Sequence, residues 1–413
     1  MTVRPDAADR AGLPRAVLAG CLTLLFSMGL LASSYGPLLP LIRRQFSVST
    51  VETGFLVSAL PAGATVAIIA SAWLQTRVST RSLLQASCLL LVGGLAVLAL
   101  ASTWWLLLVG GVGVGLGYGG GTTLANGVIA AAHPSRRSTF LLNLQNGIFG
   151  VGAVLGPVCV ATLPDASGRL AWLGYAVLAV VAAGLFVALP LSALASPQRA
   201  VPTPPSGPSP EKVRSTQRQT ALSPEKVRSR RLGGFALLFA CFIAAEISAG
   251  AWAPTHIGAV GESIGAAGIA TSLFYLGLAS GRLAAAVVGL RVEAGPLLVG
   301  CTILATAMLG VTYLVPLGGL AYVLVGVAIG PVFPTGLAWV SADQPEARHP
   351  IATVLVAGNL GGIALPPLVG AVIGTVGPQA APLPIAVTCV VGAIVAVLLV
   401  RGTSQARTAD LPS

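Results

Sequence analysis

Long apolar runs separated by short polar connections dominate this chain. They fall at about 16–41, 51–76, 82–102, 104–132, 138–163 and 170–195, then again at 233–256, 266–290, 295–315, 317–341, 351–375 and 379–400. Each is long enough to cross a bilayer as a helix, which takes about 20 residues at a 1.5 Å rise. The pattern predicts an all-α integral membrane protein of 12 transmembrane helices in two sets of six, 16–195 and 233–400. Tails at 1–15 and 401–413 and a linker at 196–232 complete the expected organisation.

Composition agrees with that reading. Hydrophobic residues make up 55% of the chain and charged residues only 8%, against about 25% charged in soluble domains. The net charge of +11 does not point to nucleic acid, because the basic residues are spread through short connections. An amino terminus in the cytoplasm leaves only Arg43, Arg44 and Arg169 outside, with the basic linker and the remaining connection arginines inside. The positive-inside rule then predicts a multi-pass protein of the plasma membrane with both termini cytoplasmic. No cleavable signal peptide is expected, since residues 1–14 are polar and the first apolar run is too long for a signal core.

The linker carries prolines at 197, 202, 204, 205, 208, 210 and 224 and repeats SPEKVRS from Ser209 and from Ser223. Such a stretch buries too little apolar surface to fold alone and is expected to be a disordered tether. The six cysteines lie singly inside apolar runs and read as small core residues. No metal-ligand spacing or cofactor motif appears. The glycine-rich run of segment four lacks the GK[ST] of a phosphate loop, and no nucleophile and base pair stands at membrane depth, so an enzyme is not expected.

One acid does stand at that depth. Glu246 sits near the middle of the seventh segment, while the other acids fall in tails, connections or helix ends. A carboxylate there is unfavourable by about 2.5 to 3.5 kcal/mol on insertion scales, so it needs a cavity or a partner and is a candidate for proton coupling. Four residues after Gly250, Pro254 lacks an amide hydrogen and crowds the preceding turn, which predicts a kink beside the acid. Arg282 is the other intramembrane charge. Three readings are open for it: a partner for Glu246, an anchor for an anionic substrate, or a residue snorkelling to the rim.

Polar side chains on helical faces supply further cavity candidates. Tyr118, Thr122 and Asn126 share one face of segment four; Asn143 and Asn146 share a face of segment five with Gly147 and Gly150, with Gln145 turned away from it; Asn359 follows Gly358 in segment eleven. They can read a polar solute or serve as interhelical hydrogen bonds worth about 0.6 kcal/mol each. Trp252 is about 120° from Glu246 on an ideal helix, so both line one cavity only if residues 250–254 unwind. Otherwise it reads as an interfacial anchor. His133, His256 and His349 lie in or near connections and are expected to be solvated.

Glycine and proline interrupt corresponding segments of the two halves, the pattern of transporters built from repeats. GPLLPLIRRQF, LLNLQNGIFGVGAVLGP, AAEISAGAWAP, SLFYLGLASGRLAA, GPVFPTGLAW and GNLGGIALPPLVG occur in that order. With them the chain resembles the major facilitator superfamily, and within it the branch similar to fucose and glucose-galactose proton symporters. The resemblance implies two pseudo-symmetric bundles rocking about a central cavity. There are departures. Ser71 and Gln75 replace the signature glycine and aspartate between segments two and three, Val109 stands where exporters carry an arginine, and Thr122 replaces an acid of the sugar symporters.

The function expected from these observations is secondary active transport of a small organic solute, sugar-like or another polar metabolite, by alternating access. Protons are the expected coupling ion, through Glu246, and the bilayer is the medium of a monomer. Proton-driven export of a drug-like or secondary metabolite is the alternative, because Gly152 to Pro157 resembles part of an exporter motif. A non-transporting solute receptor is the third reading, disfavoured by the lack of a sizeable cytoplasmic domain.

Overall fold

The computed structural model describes residues 13–132, 135–162, 169–188, 224–261, 264–289, 291–314, 319–344, 347 and 350–409. Among them the secondary structure is helical throughout. The first bundle comprises α1 (Arg15–Phe46), α2 (Thr50–Leu74), α3 (Thr80–Leu100), α4 (Trp104–Ala132), α5 (Ser135–Thr162) and α6 (Arg169–Leu185). The second comprises α7 (Pro224–Ala259), α8 (Ile264–Val288), α9 (Ala294–Leu314), α10 (Gly319–Ile329), α11 (Val332–Asp343), α12 (Pro350–Val376) and α13 (Pro382–Ala409). Among the described residues 11 helical stretches are long and apolar enough to cross a membrane, with α10 and α11 together forming one of them. The remaining long helix, α8, takes the place of the twelfth.

Local chemistry sets the helix starts. Ser49 and Glu52 form a reciprocal capping box at the start of α2, and the Ser79 hydroxyl accepts from the Ser82 amide to cap α3. Within each bundle the helices close on glycine. A Cβ on Gly63, Gly115 or Gly119 would run into the facing backbone between α2 and α4. Two such glycine pairs, Gly277 and Gly281 on α8 with Gly326 on α10 and Gly330 just past its end, bring those segments to backbone contact.

Three expectations are corrected. Residues 224–231, placed in the disordered linker, are the first two turns of α7, opened by Pro224 at the position where a missing amide hydrogen costs nothing. The rest of the linker lies outside the described residues. Segment ten is not one helix: it breaks at Gly330–Pro331, because Pro331 lacks the amide that would bond to the Val327 carbonyl. Conversely α7 stays helical through residues 250–254, so the unwinding that would bring Trp252 and Glu246 to one cavity does not occur. The Gly250 carbonyl, deprived of a donor by Pro254, instead lies against Gly36 of α1, where an added Cβ would stand 2.5 Å from it.

Both ends of the chain's helical course, the start of α1 and the end of α13, lie at one end of the molecule. At the opposite end the bundles are sealed. Thr50 Oγ1 donates to the Gly370 carbonyl and Ser58 Oγ to the Ile363 carbonyl, each at 2.6 Å. The second bond satisfies the acceptor that Pro367 leaves without its helical donor. Gly54 admits the Pro366–Pro367 backbone, and Gly268 meets Ala161. Towards the end bearing the chain termini the contact thins. A Cβ on Gly150 would be 4.0 Å from Ala279, and one on Gly147, a turn further, would meet nothing within 4 Å. Phe55, Val66, Ile69 and Trp73 form one exposed apolar stripe along the whole of α2, a face suited to lipid.

Candidate functional site

Where the seam begins to open, the two intramembrane charges meet. Arg282 Nη2 on α8 donates to Glu246 Oε1 on α7 at 3.3 Å, with side-chain exposures of 28% and 25%. Of the three placements open for Arg282, the structure has it facing Glu246. The backbone beneath the arginine is held by the glycine contacts: a Cβ on Gly330 would lie 3.2 Å from the Arg282 amide nitrogen. Two phenols complete the setting. Tyr275 of α8 rests its hydroxyl against Gly250, and both it and Tyr118 of α4 are in electrostatic range of Glu246 and Arg282. Tyr118 thereby brings the first bundle to a pair of charges owned by the second.

The other sequence candidates divide. Tyr118, Thr122 and Asn126 are half-buried along one face of α4, but the Thr122 hydroxyl donates to its own helix at the Tyr118 carbonyl, 2.8 Å away. Asn143 and Asn146 are exposed on α5, and Asn146 Nδ2 donates to the Leu142 carbonyl at 2.9 Å. Asn359 is half-buried on α12. Asn126 has a partner on α5. Gln145 is 0% exposed and donates from Nε2 to Asn126 Oδ1 at 2.9 Å. Its position, about 100° from Asn146 on the α5 wheel, turned it towards α4; the signal was a glutamine on the face opposite the asparagines.

Trp252 is corrected on both counts. It neither lines a cavity with Glu246 nor anchors at an interface, being 1% exposed, with Nε1 donating to the Pro366 carbonyl at 3.2 Å. A continuous α7 keeps it on the face packed against α12. His256 is likewise buried, edge-on to Tyr322, rather than solvated; His133 and His349 lie outside the described residues. The cysteines are unpaired thiols, all but Cys159 fully buried. In place of the signature loop, Arg77 lies over the Trp73 ring at 4.1 Å and Gln75 Nε2 bonds back to the Ser71 carbonyl.

Two helical bundles joined at one end around a half-buried charge pair find their counterpart in a known family. The model of the Major Facilitator Superfamily matches residues 21–356. This chain belongs to that superfamily. Its fold is shared with solved transporter structures at low identity. A variant of the nucleoside transporter NupG superposes with a TM-score of 0.74 at 13% identity, over 93% of this chain and 100% of the other. The fucose:proton symporter FucP of E. coli gives 0.61 at 18%, over 92% and 98%. A D-xylose-proton symporter gives 0.70 at 14%, over 93% and 96%. No curated protein matches the sequence. The superfamily member is therefore a multi-pass membrane transporter of small solutes and not an enzyme.

Proposed function

We propose that this transporter moves a small polar organic solute across the plasma membrane by alternating access and couples the movement to protons through Glu246. The observation that carries the reading is the Glu246–Arg282 pair, half-buried at mid-span where the two bundles part. Protonation of Glu246 removes the charge that holds Arg282, and a change of charge at the seam is what biases a two-state rocking equilibrium. Tyr118, Asn126, Asn143, Asn146 and Asn359 stand as solute contacts along the opening, Thr122 as a weaker one, and Gln145 as the residue that orients Asn126.

The basic residues concentrate at the end bearing the chain termini, which supports a cytoplasmic location for that end. On that assignment the pathway is open inward and sealed outward. The names of the similar structures, a nucleoside transporter and two sugar-proton symporters, support a polar solute and a proton. Uptake is preferred to export because packing accounts for the exporter-like glycines: Gly152 and Gly156 receive the α1 backbone at the Phe26 and Leu30 carbonyls. One chain holds both bundles and the whole seam, so the working unit is the monomer.

The test is accumulation in proteoliposomes under an imposed pH gradient. Glu246→Gln is expected to reach the membrane at normal abundance and to lose gradient-driven accumulation. Unchanged gradient dependence in that variant would remove Glu246 from the coupling step.

A further inference from the structure

Building on the proton-coupling reading, we infer that the solute is a small organic carboxylate, which takes Arg282 from Glu246 and so obliges Glu246 to bind a proton. The argument starts from how incompletely Arg282 is used. A guanidinium presents five N–H donors in a planar fork matched to the two oxygens of a carboxylate. Glu246 takes one of them end-on at 3.3 Å, longer than the roughly 2.7–2.9 Å of a charge-assisted bond. Arg282 Nε, on the edge that a carboxylate would grip side-on, is buried with no protein partner. Elsewhere the same chain shows an arginine with all three guanidinium nitrogens engaged. Arg231 donates from Nε to Asp343 Oδ2 at 3.0 Å and from Nη2 to Asp343 Oδ1, with Nη1 on the Leu399 carbonyl.

The surroundings suit an exchange of partners. Gly330, just past the end of α10, packs against the α8 backbone at Arg282 and fixes the root of its side chain. The seam is open at Gly147 and the exposed Asn143 and Asn146, which gives a small solute a route. Tyr118 and Tyr275 lie within electrostatic range of the pair and carry phenolic donors. Every other charged side chain among the described residues lies towards a helix end.

Charge balance then links anion to proton. The pair is neutral with Glu246 ionised. An arriving carboxylate that claims Arg282 leaves Glu246 without a counter-charge at membrane depth, where an uncompensated ion is disfavoured. One proton taken from solution onto Glu246 restores neutrality, and releasing the solute allows the pair to re-form as that proton leaves. The site thus moves carboxylate and proton together with no net charge.

The experiment uses the purified full chain in weakly buffered detergent. Lactate, benzoate and succinate are compared with lactamide, benzamide, succinamide and glucose, reading both melting temperature and proton uptake with a pH indicator. At least one carboxylate is expected to raise the melting temperature and draw a proton for each molecule bound, while the amides and glucose do neither. Arg282→Gln is expected to weaken that carboxylate by about 30-fold or more, as for removal of one member of a buried charge pair. Arg282→Lys keeps the charge without the fork and is expected to fall between the two. Glu246→Gln should bind the carboxylate and take up no proton. The inference is overturned if none of the carboxylates binds, if they bind without proton uptake, or if glucose or an amide binds equally well. Glu246-dependent, gradient-driven transport of a neutral solute would overturn it while leaving proton coupling intact.

Discussion

Two arginine–carboxylate pairs stand in the second bundle, and they differ in almost every respect that matters. Arg231–Asp343 is gripped side-on, has side-chain exposures of 19% and 10%, and is reinforced by Gln344 Nε2 on Asp343 Oδ2 at 2.8 Å. It ties the start of α7 to the end of α11 and, through the Leu399 carbonyl, to α13. Arg282–Glu246 has a single longer bond, greater exposure and an orphaned donor, and it lies beside the seam between bundles. A pair whose three guanidinium nitrogens are all engaged has little to gain from releasing its partner and acts as a clasp. A pair with one bond and a spare donor can exchange partners at little cost, which is the property a coupling site requires.

The sharpest way to break this comparison is to neutralise each acid in turn. Asp343→Asn is expected to lower stability by about 2 kcal/mol, since it strands a partly buried guanidinium, while gradient dependence survives. Thermal unfolding and gradient-driven flux measured together check this. Glu246→Gln is expected to abolish gradient dependence while costing less stability than Asp343→Asn, because it removes one long bond and not a side-on grip. If both substitutions altered both readouts alike, the division into clasp and switch would be wrong.

Next in size is the platform beneath the switch. Gly281→Val introduces a Cβ into the Val327 carbonyl and is expected to destabilise by about 1–3 kcal/mol, with further loss as α8 and α10 separate under Arg282. The same substitution at Gly300, where an added Cβ meets nothing, is the control expected to be silent in a melting assay. Ser58→Ala is smaller. It strands the Ile363 carbonyl at the sealed end and is expected to favour the opposite opening by about 1 kcal/mol. Accessibility of a cysteine at Asn143 to a membrane-impermeant thiol reagent added from the terminus-bearing side, in a background with the native cysteines replaced, should fall accordingly. Smallest is Gln145→Leu, which removes the bond to Asn126 and is expected to alter stability by about 0.6 kcal/mol. A solute-affinity change exceeding the stability change would make Asn126 a solute contact positioned by Gln145.

Much of this was legible in the residues. Period and length mark the spans, because each run must cover the same hydrocarbon thickness, and Glu246 and Arg282 stand out because charge is rare at depth. Facing partners were less accessible. A sequence states the depth of a residue far better than its rotation against a neighbour, so Gln145 reads as turned away from the asparagines without its partner on α4, and Trp252 as a cavity or interface residue and not a packed one. Proline was the other source of error. Pro331 breaks its helix whereas Pro254 does not, although a glycine of a neighbouring helix meets the freed carbonyl in both cases, Gly281 at Val327 and Gly36 at Gly250. The helical start at Pro224 was hidden for a related reason, since two polar turns gain stability from the apolar helix that follows them and look like linker in isolation.

The central claim is that Glu246 is where the proton rides. Its most direct test compares solute exchange with net uphill uptake in proteoliposomes containing wild type or Glu246→Gln, since exchange needs the site to alternate while uphill uptake also needs the proton. The account predicts that the variant still exchanges labelled for unlabelled solute but no longer concentrates it down a pH gradient. Uphill uptake at the wild-type level in the same vesicles would contradict it.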